Sequence, residues 1–263
     1  MDLGIKNKVA LVTASSQGLG KAAAFSLAKE GVNLAICSRY EKSITDTAKE
    51  IAKETGVKVF PLASDVSKNE DIDRLIESVK TEFGTIDILV NNAGGPPAGE
   101  ITKISDAEWE KGVNLTLMST IRLTRSVLPM MERQKWGRVV TIVSITAKQP
   151  VDELLISSTL RPGILGLSKV LANQYGKHGI TINTICPGYV LTQRQEELSR
   201  SRSAEKNMTM DEYLAESATN IPIGRLGKPE EIGDVIAFLA SERAGYINGA
   251  NILVDGGQAK GIY

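Results

Sequence analysis

The chain has 263 residues, with 31 Lys+Arg against 31 Asp+Glu and therefore no net charge. That balance gives no footing for a nucleic-acid or anionic-membrane surface. No apolar run approaches the length that a membrane span needs, and no charged-then-apolar leader opens the chain, so the expectation is a soluble, cytoplasmic protein folded as one domain over 1–263.

In chain order, short apolar runs alternate with amphipathic stretches. Strands are predicted at Val9–Thr13, Asn33–Cys37, Lys58–Leu62, Ile86–Asn91, Arg138–Val143, Thr181–Cys186 and Asn251–Val254. Helices are predicted at Gly18–Glu30, Lys42–Thr55, Asn69–Phe83, Asp106–Gln134, Leu155–Tyr175 and Glu230–Ser241. Continuous apolar strands separated by helices are buried on both faces. The fold class is therefore α/β, a Rossmann-type doubly wound parallel sheet of seven strands with helices on both faces and its crevice at the strands' C-terminal ends. Ser105-Asp106-Ala107-Glu108 and Lys228-Pro229-Glu230-Glu231 are helix-start patterns. Cys37 and Cys186 end apolar runs and are expected to be buried free thiols. Metal-ligand spacing is absent.

The first strand runs into Thr13-Ala14-Ser15-Ser16-Gln17-Gly18-Leu19-Gly20 and then a helix. A strand, a glycine turn and a helix N-terminus together make a cradle for a diphosphate, because backbone N–H groups and the helix dipole face the anion. Thr13, Ser15, Ser16, Gln17, Gly18, Leu19 and Gly20 are the candidate binding residues there.

Further along stand Asp65-Val66, Asn91-Asn92-Ala93-Gly94, Asn114, Ile142-Val143-Ser144, Asn183-Thr184-Ile185-Cys186-Pro187-Gly188 and Val254-Asp255-Gly256-Gly257. With these motifs the chain resembles the short-chain dehydrogenase/reductase family over residues 5–258, most of all its 3-oxoacyl-carrier-protein-reductase-like branch. The resemblance implies a nicotinamide dinucleotide and a small carbonyl or alcohol substrate. It places Gly18 and Gly20 at the diphosphate, Asp65 and Val66 at the adenine, Asn91, Ala93 and Gly94 near the ribose, and Pro187, Gly188, Val190 and Thr192 at the nicotinamide. The family's first turn glycine is Ala14 here, which would cost about 1 kcal/mol if that position needs positive φ. The second strand ends in Cys37-Ser38-Arg39 with no carboxylate until Glu41. An acidic residue there would repel a 2′-phosphate, whereas Ser38 and Arg39 can bind one, so NADP is expected over NAD.

The resemblance also implies catalysis by an asparagine, a serine, a tyrosine and a lysine. Asn114 and Ser144 match. The tyrosine and lysine positions read Ser157 and Arg161. A serine hydroxyl is too weak an acid to replace a phenol. Arg161 keeps the charge but does not titrate near neutrality. Two functions follow: an NADP(H)-linked oxidoreductase whose proton comes through an altered site such as water ordered by Ser144, Ser157 and Arg161, or a dinucleotide-binding protein, a sensor or partner subunit, that has lost its catalytic centre.

Other residues carry weaker expectations. Pro162 either kinks its helix or marks where the regular part begins, and in the second case Ser157 and Arg161 would not share a face. Tyr189 is a candidate substrate contact or pocket wall. Lys148 is expected to be solvated, Asp152 and Glu153 to cap a helix, and His178 to lie away from the crevice. Residues 192–220 form a candidate substrate lid or a plain surface helix. The resemblance implies a homotetramer or homodimer paired through Asp106–Gln134, Leu155–Tyr175 and Ala250–Tyr263.

Overall fold

The computed structural model describes residues 1–261, and of Arg194, Glu197, Leu198 and Ser201 it describes the backbone alone. Residues 262 and 263, the end of the last pairing segment named above, lie outside the described residues. The seven strands are β1 Val9–Val12, β2 Asn33–Ser38, β3 Val59–Ala63, β4 Ile88–Asn91, β5 Gly137–Ile142, β6 Ile180–Pro187 and β7 Asn251–Val254. They form one sheet in the order β3-β2-β1-β4-β5-β6-β7, and every pairing is parallel. Each expected strand is present, with ends shifted by a residue or two where pairing with the neighbour sets the limit.

Nine α-helices cover the sheet: α1 Gly18–Lys29, α2 Glu41–Thr55, α3 Asn69–Phe83, α4 Asp106–Gly112, α5 Ser119–Gln134, α6 Leu155–Tyr175, α7 Gln193–Glu205, α8 Met210–Ala218 and α9 Pro229–Leu239, among the described residues. One face packs Leu27, Ile36, Ile44, Ile232 and Ile236 together. The other packs Ile72, Leu75, Val127, Met131 and Val139. The strand order reverses between β1 and β4, and the crevice of a doubly wound sheet opens at that point.

Two expectations about helices are corrected. The span Asp106–Gln134 is not one α-helix, because Val113–Met118 is π-helical. The Ser119 N–H donates to the Asn114 carbonyl, five residues back, which widens the helix by a residue. At Pro162 the helix neither stops nor begins: α6 runs unbroken from Leu155 to Tyr175. Pro162 is exposed, so water can take the hydrogen bond that its missing N–H forfeits, and tertiary packing holds the helix through it. Ser157 and Arg161 are thus an i,i+4 pair on one helical face.

The start of α6 also departs from expectation. Leu154 is the cap residue and provides no side-chain bond. Ser158 does the work instead of Asp152 or Glu153: its hydroxyl accepts from the Val151 N–H at 3.1 Å and donates to the Val151 carbonyl at 3.2 Å. The Ser105 capping box and the Pro229 start of α9 are both present.

Candidate active site

The nucleotide-side turn is built by cross-strand bonds. Thr13 Oγ1 donates to the Asn92 carbonyl at 2.7 Å and accepts from the Asn92 N–H at 2.9 Å. Asn92 Nδ2 donates to the Ala14 carbonyl at 3.1 Å. Asn92 therefore locks the turn, a role that the sequence motif left unassigned to it. Ala14 has φ +47°, so the strained conformation foreseen there is real. A Cβ on Gly20 would stand 2.5 Å from the Ala14 carbonyl oxygen and 2.6 Å from Asn92 Nδ2. Only glycine fits, and the helix N-terminus stays close to the turn.

Ser15 is buried and its hydroxyl donates to the Val12 carbonyl at 2.9 Å, so it braces the turn. The Ser16 carbonyl accepts from Thr47 Oγ1 at 3.1 Å. Gln17 precedes α1 and makes no side-chain cap. Leu19 packs against the core beneath α1. Gly18 has φ +58° and faces Thr192, whose Cβ lies 3.7 Å from a Cβ built on Gly18. Thr192 in turn caps α7, accepting from the Gln195 N–H at 3.2 Å.

At the end of β2, Ser38 is buried and bonds the Tyr40 carbonyl at 3.2 Å. Arg39 is exposed, 5.7 Å from the centre of the Tyr40 ring. Its charge faces Asp65, whose carboxyl lies below its ordinary value: burial opposes the shift, and the Ser67 hydroxyl and N–H together with Arg39 outweigh it. Val66 is buried. Ala93 packs on the core and Gly94 has open space around its α-carbon. Asn91 is buried, its amide donating to Thr124 Oγ1 at 3.0 Å and Thr141 Oγ1 at 3.2 Å. Pro187 closes β6. A Cβ on Gly188 would come within 2.7 Å of Asp255 Cβ, so that glycine serves the packing of the C-terminal turn. Val190 is buried and bridges to Gly227.

On the catalytic side, Ser144 follows β5. Its Oγ accepts from the Thr146 N–H at 3.1 Å, and its O–H has no acceptor among the described residues. Thr146 Oγ1 in turn lies 2.9 Å from Ser157 Oγ. Thr146 was not foreseen, because nothing in its sequence context distinguishes it from a loop hydroxyl. Ser157 is buried and committed to it, so no hydrogen bond joins Ser157 to Arg161 although they share a face.

Arg161 reaches inward. Its guanidinium donates to the Val143 carbonyl, one residue before Ser144. Burial drives its pKa down from 12.5 to about 10, opposed weakly by Cys186. Arg161 thus remains a cation at neutral pH, and it has no ion pair among the described residues. Asn114 sits in the π segment, half-buried, donating to the Glu110 carbonyl at 3.1 Å.

Around the rim, Tyr189 is half-exposed with its N–H on Gln258 Oε1 at 3.1 Å. Lys148 is half-buried. Its charge and that of Arg161 both reach the buried Cys186 thiol, whose pKa burial nevertheless raises. Cys37 and Cys186 are both buried and free. His178 pairs with Glu132 at 3.1 Å, before β6 and away from the crevice. The stretch after β6 forms α7 and α8. Arg202 of α7 donates to the Tyr213 phenol of α8, which raises its pKa, and its charge also faces Glu153 and Tyr189. The segment is therefore tied to the rim of the crevice. No described helix is long and apolar enough to cross a membrane.

Comparison with known proteins matches the sequence and the fold. A family model described as enoyl-(acyl carrier protein) reductase matches residues 13–259. The 3-oxoacyl-(acyl-carrier-protein) reductase of Haemophilus influenzae is 34% identical over 253 residues, 96% of this chain and 98% of that protein. An uncharacterized oxidoreductase of Bacillus subtilis is 35% identical, with both chains fully covered. Among solved structures, the L-sorbose reductase of Gluconobacter frateurii, complexed with NADPH and L-sorbose, is 35% identical with a TM-score of 0.97 and 100% coverage of both chains. An NADPH-dependent reductase involved in bacilysin biosynthesis is 28% identical with a TM-score of 0.92, over 98% of this chain and 100% of that one.

Proposed function

The chain belongs to the short-chain dehydrogenase/reductase family, and on that premise we propose that it is an NADP(H)-dependent reductase of a small polar carbonyl compound. The observation that carries the reading is Ser144, whose O–H has no acceptor among the described residues and which follows the Val143 carbonyl bound by a buried guanidinium, in a fold with a formed nucleotide cradle.

The residues fit a phosphorylated dinucleotide. Gly20 leaves no room for a side chain at the cradle. Thr13 and Asn92 hold the turn. Exposed Arg39 supplies a cation where a carboxylate would reject a 2′-phosphate. When bound, the cofactor supplies a hydride. Ser144 donates a hydrogen bond to the carbonyl oxygen and fixes its orientation. Arg161 provides a fixed positive charge near the end of β5, which lowers the cost of negative charge developing on that oxygen. Ser157 is held by Thr146, and Arg161 does not release a proton near neutrality, so water neutralises the alkoxide. Asn114 donates to the Glu110 carbonyl and accepts from the Ser119 N–H, so it shapes the π segment rather than reaching the substrate. α7 and α8 act as the lid, with Arg202 as its link to the rim, and the whole chain works as one domain. Arg202, tied to Tyr213 with its charge facing Glu153 and Tyr189, and the likeness to an L-sorbose reductase favour hydroxylated ketones as substrates. The assembly is a homotetramer or homodimer, and Val170, an exposed apolar residue on α6, supports pairing through that helix.

One observation favours a second reading, a dinucleotide-binding protein without turnover: both hydroxyls nearest the missing phenol position are already paired with each other. NADPH oxidation by the purified protein against keto sugars, diketones, aldehydes and 3-oxoacyl thioesters separates the two. Turnover abolished by Ser144→Ala establishes the reductase. NADPH binding without turnover on any of them establishes the binding protein.

A further inference from the structure

Four buried side-chain polar atoms have no partner among the described residues: Asn91 Oδ1, Thr116 Oγ1, Arg161 Nε and Thr181 Oγ1. The first three belong to residues lining one small cavity between the end of β4, the π segment and α6. Such atoms are rarely left unpaired in a native interior. Three of them on residues that line one cavity point to a shared ligand.

The donor set restricts what that ligand is. Arg161 Nε–H only donates, an amide oxygen only accepts, and a hydroxyl does either. Asn91 is oriented by its NH₂ group, which donates to Thr124 and Thr141 and leaves Oδ1 without a partner. One group must therefore accept from Nε–H and donate to Oδ1. A halide fails at Oδ1, a phosphate is too large for the cavity, and a metal cation fails at Nε–H. A hydroxyl satisfies both, and the cavity, of ≈ 10 Å³, has room for a single water. Its remaining walls include Ile142 and Ile164, and Asn92 and Thr120, whose side chains donate to the Ala14 and Thr116 carbonyls.

The fold explains why Thr116 takes part. It lies inside the π-helical stretch, whose widened turn alters the direction of each side chain relative to a regular α-helix. Arg161 is anchored on its other side by the Val143 carbonyl. We propose that Thr116, Asn91 and Arg161 hold one resident buried water, and that Thr116 is a positioning residue that fixes the Arg161 guanidinium through it. The inference does not rest on turnover.

A crystal structure at a resolution that shows ordered solvent, with and without NADPH, tests the site directly. One water peak touching Arg161 Nε, Thr116 Oγ1 and Asn91 Oδ1 is expected in both. Thr116→Val is expected to lose the peak, to lower the melting temperature by about 2–4 °C, and to weaken NADPH binding roughly tenfold, about 1.4 kcal/mol. Thr116→Ser keeps the hydroxyl and is expected to restore all three, which loss of packing volume would not do. No water in the unliganded wild-type crystal overturns the proposal. So does an anomalous peak in the cavity after a bromide soak, which would make it an anion site. A cofactor hydroxyl replacing the water in the NADPH crystal also overturns it, since the site would then belong to the dinucleotide. If Thr116→Val does not fold, the two wild-type crystals and the Thr116→Ser variant decide alone.

Discussion

Thr146 Oγ1 and Ser157 Oγ lie 2.9 Å apart, both in buried side chains, and the Thr146 N–H donates to Ser144 Oγ at 3.1 Å. The hydroxyl at the place of the family's phenol is thus part of the support under Ser144. Ser157→Ala is expected to leave turnover unchanged and to cost about 1–3 kcal/mol of stability, because Thr146 loses its buried partner. Ser144→Ala is expected to lower kcat roughly 10²–10³-fold, as the loss of a donor to a developing oxyanion does. Steady-state kinetics and thermal denaturation of the two variants check this. Equal kinetic losses would show Ser157 to be a reacting group.

Ser157→Tyr combined with Arg161→Lys rebuilds a phenol beside an ammonium on one face of α6, which the unbroken helix now allows. A general acid contributes roughly 10²–10⁴ in rate, so the double variant is expected to gain turnover on any ketone that the wild type reduces slowly. The larger ring overfills the Thr146 contact and is expected to cost about 1–3 kcal/mol of stability. A loss of both activity and NADPH binding would sink the expectation.

Arg161 sets the pH dependence. Burial lowers its pKa from 12.5 to about 10. A lowered cation pKa means that the unfolded chain binds more protons between those two values, so this group adds stability only as pH rises through that window. Below it, Arg161 is charged in both states and contributes no slope. Turnover is therefore expected to show no Arg161 ionisation below about pH 9. Arg161→Lys is expected to bring an alkaline limb into that range, since an ammonium starts near 10.4 and the same burial lowers it further. The pH–rate profiles of wild type and variant decide.

The nucleotide turn offers two opposite substitutions. Gly20→Ala drives a methyl to within 2.5 Å of the Ala14 carbonyl oxygen. It is expected to cost about 1–3 kcal/mol and to abolish NADPH binding. Ala14→Gly releases a positive φ of 47°, strain worth about 1–2 kcal/mol, less the entropy of a glycine. It is expected to stabilise the fold by up to about 1 kcal/mol, visible in thermal denaturation.

Arg39 is exposed, with a stacked Tyr40 and no carboxylate beside it in β2. Charge-assisted bonds contribute about 1.5–3 kcal/mol, so Arg39→Ala is expected to weaken NADPH binding about 10–100-fold and to leave NADH binding unchanged. Fluorescence titrations with both cofactors measure the ratio. Equal losses for both would place Arg39 at the adenine instead.

Much of this molecule was legible in its chain. The seven strands were readable because a parallel strand is buried on both faces and needs apolar residues throughout, as Leu34-Ala35-Ile36-Cys37 shows. Right-handed crossovers then make the sheet doubly wound, while the order of its strands came from the structure. The nucleotide turn was readable because glycine is required where backbone meets backbone, as at Gly20. The replacements at Ser157 and Arg161 were legible only against the family that the chain resembles, by their spacing from Ser144. Local rules did not reach what those residues touch. Ser157 turns to Thr146 and Arg161 to the Val143 carbonyl because packing of α6 against the end of β5 decides which polar groups meet. Nor did they reach the π segment at Val113–Met118 or the passage of α6 through Pro162, where the packing energy of a long helix outweighs the preference of one residue. Composition and period determine which segments are buried. Only the tertiary structure determines which buried polar atoms find partners, because those partners come from strands and helices far apart in the chain.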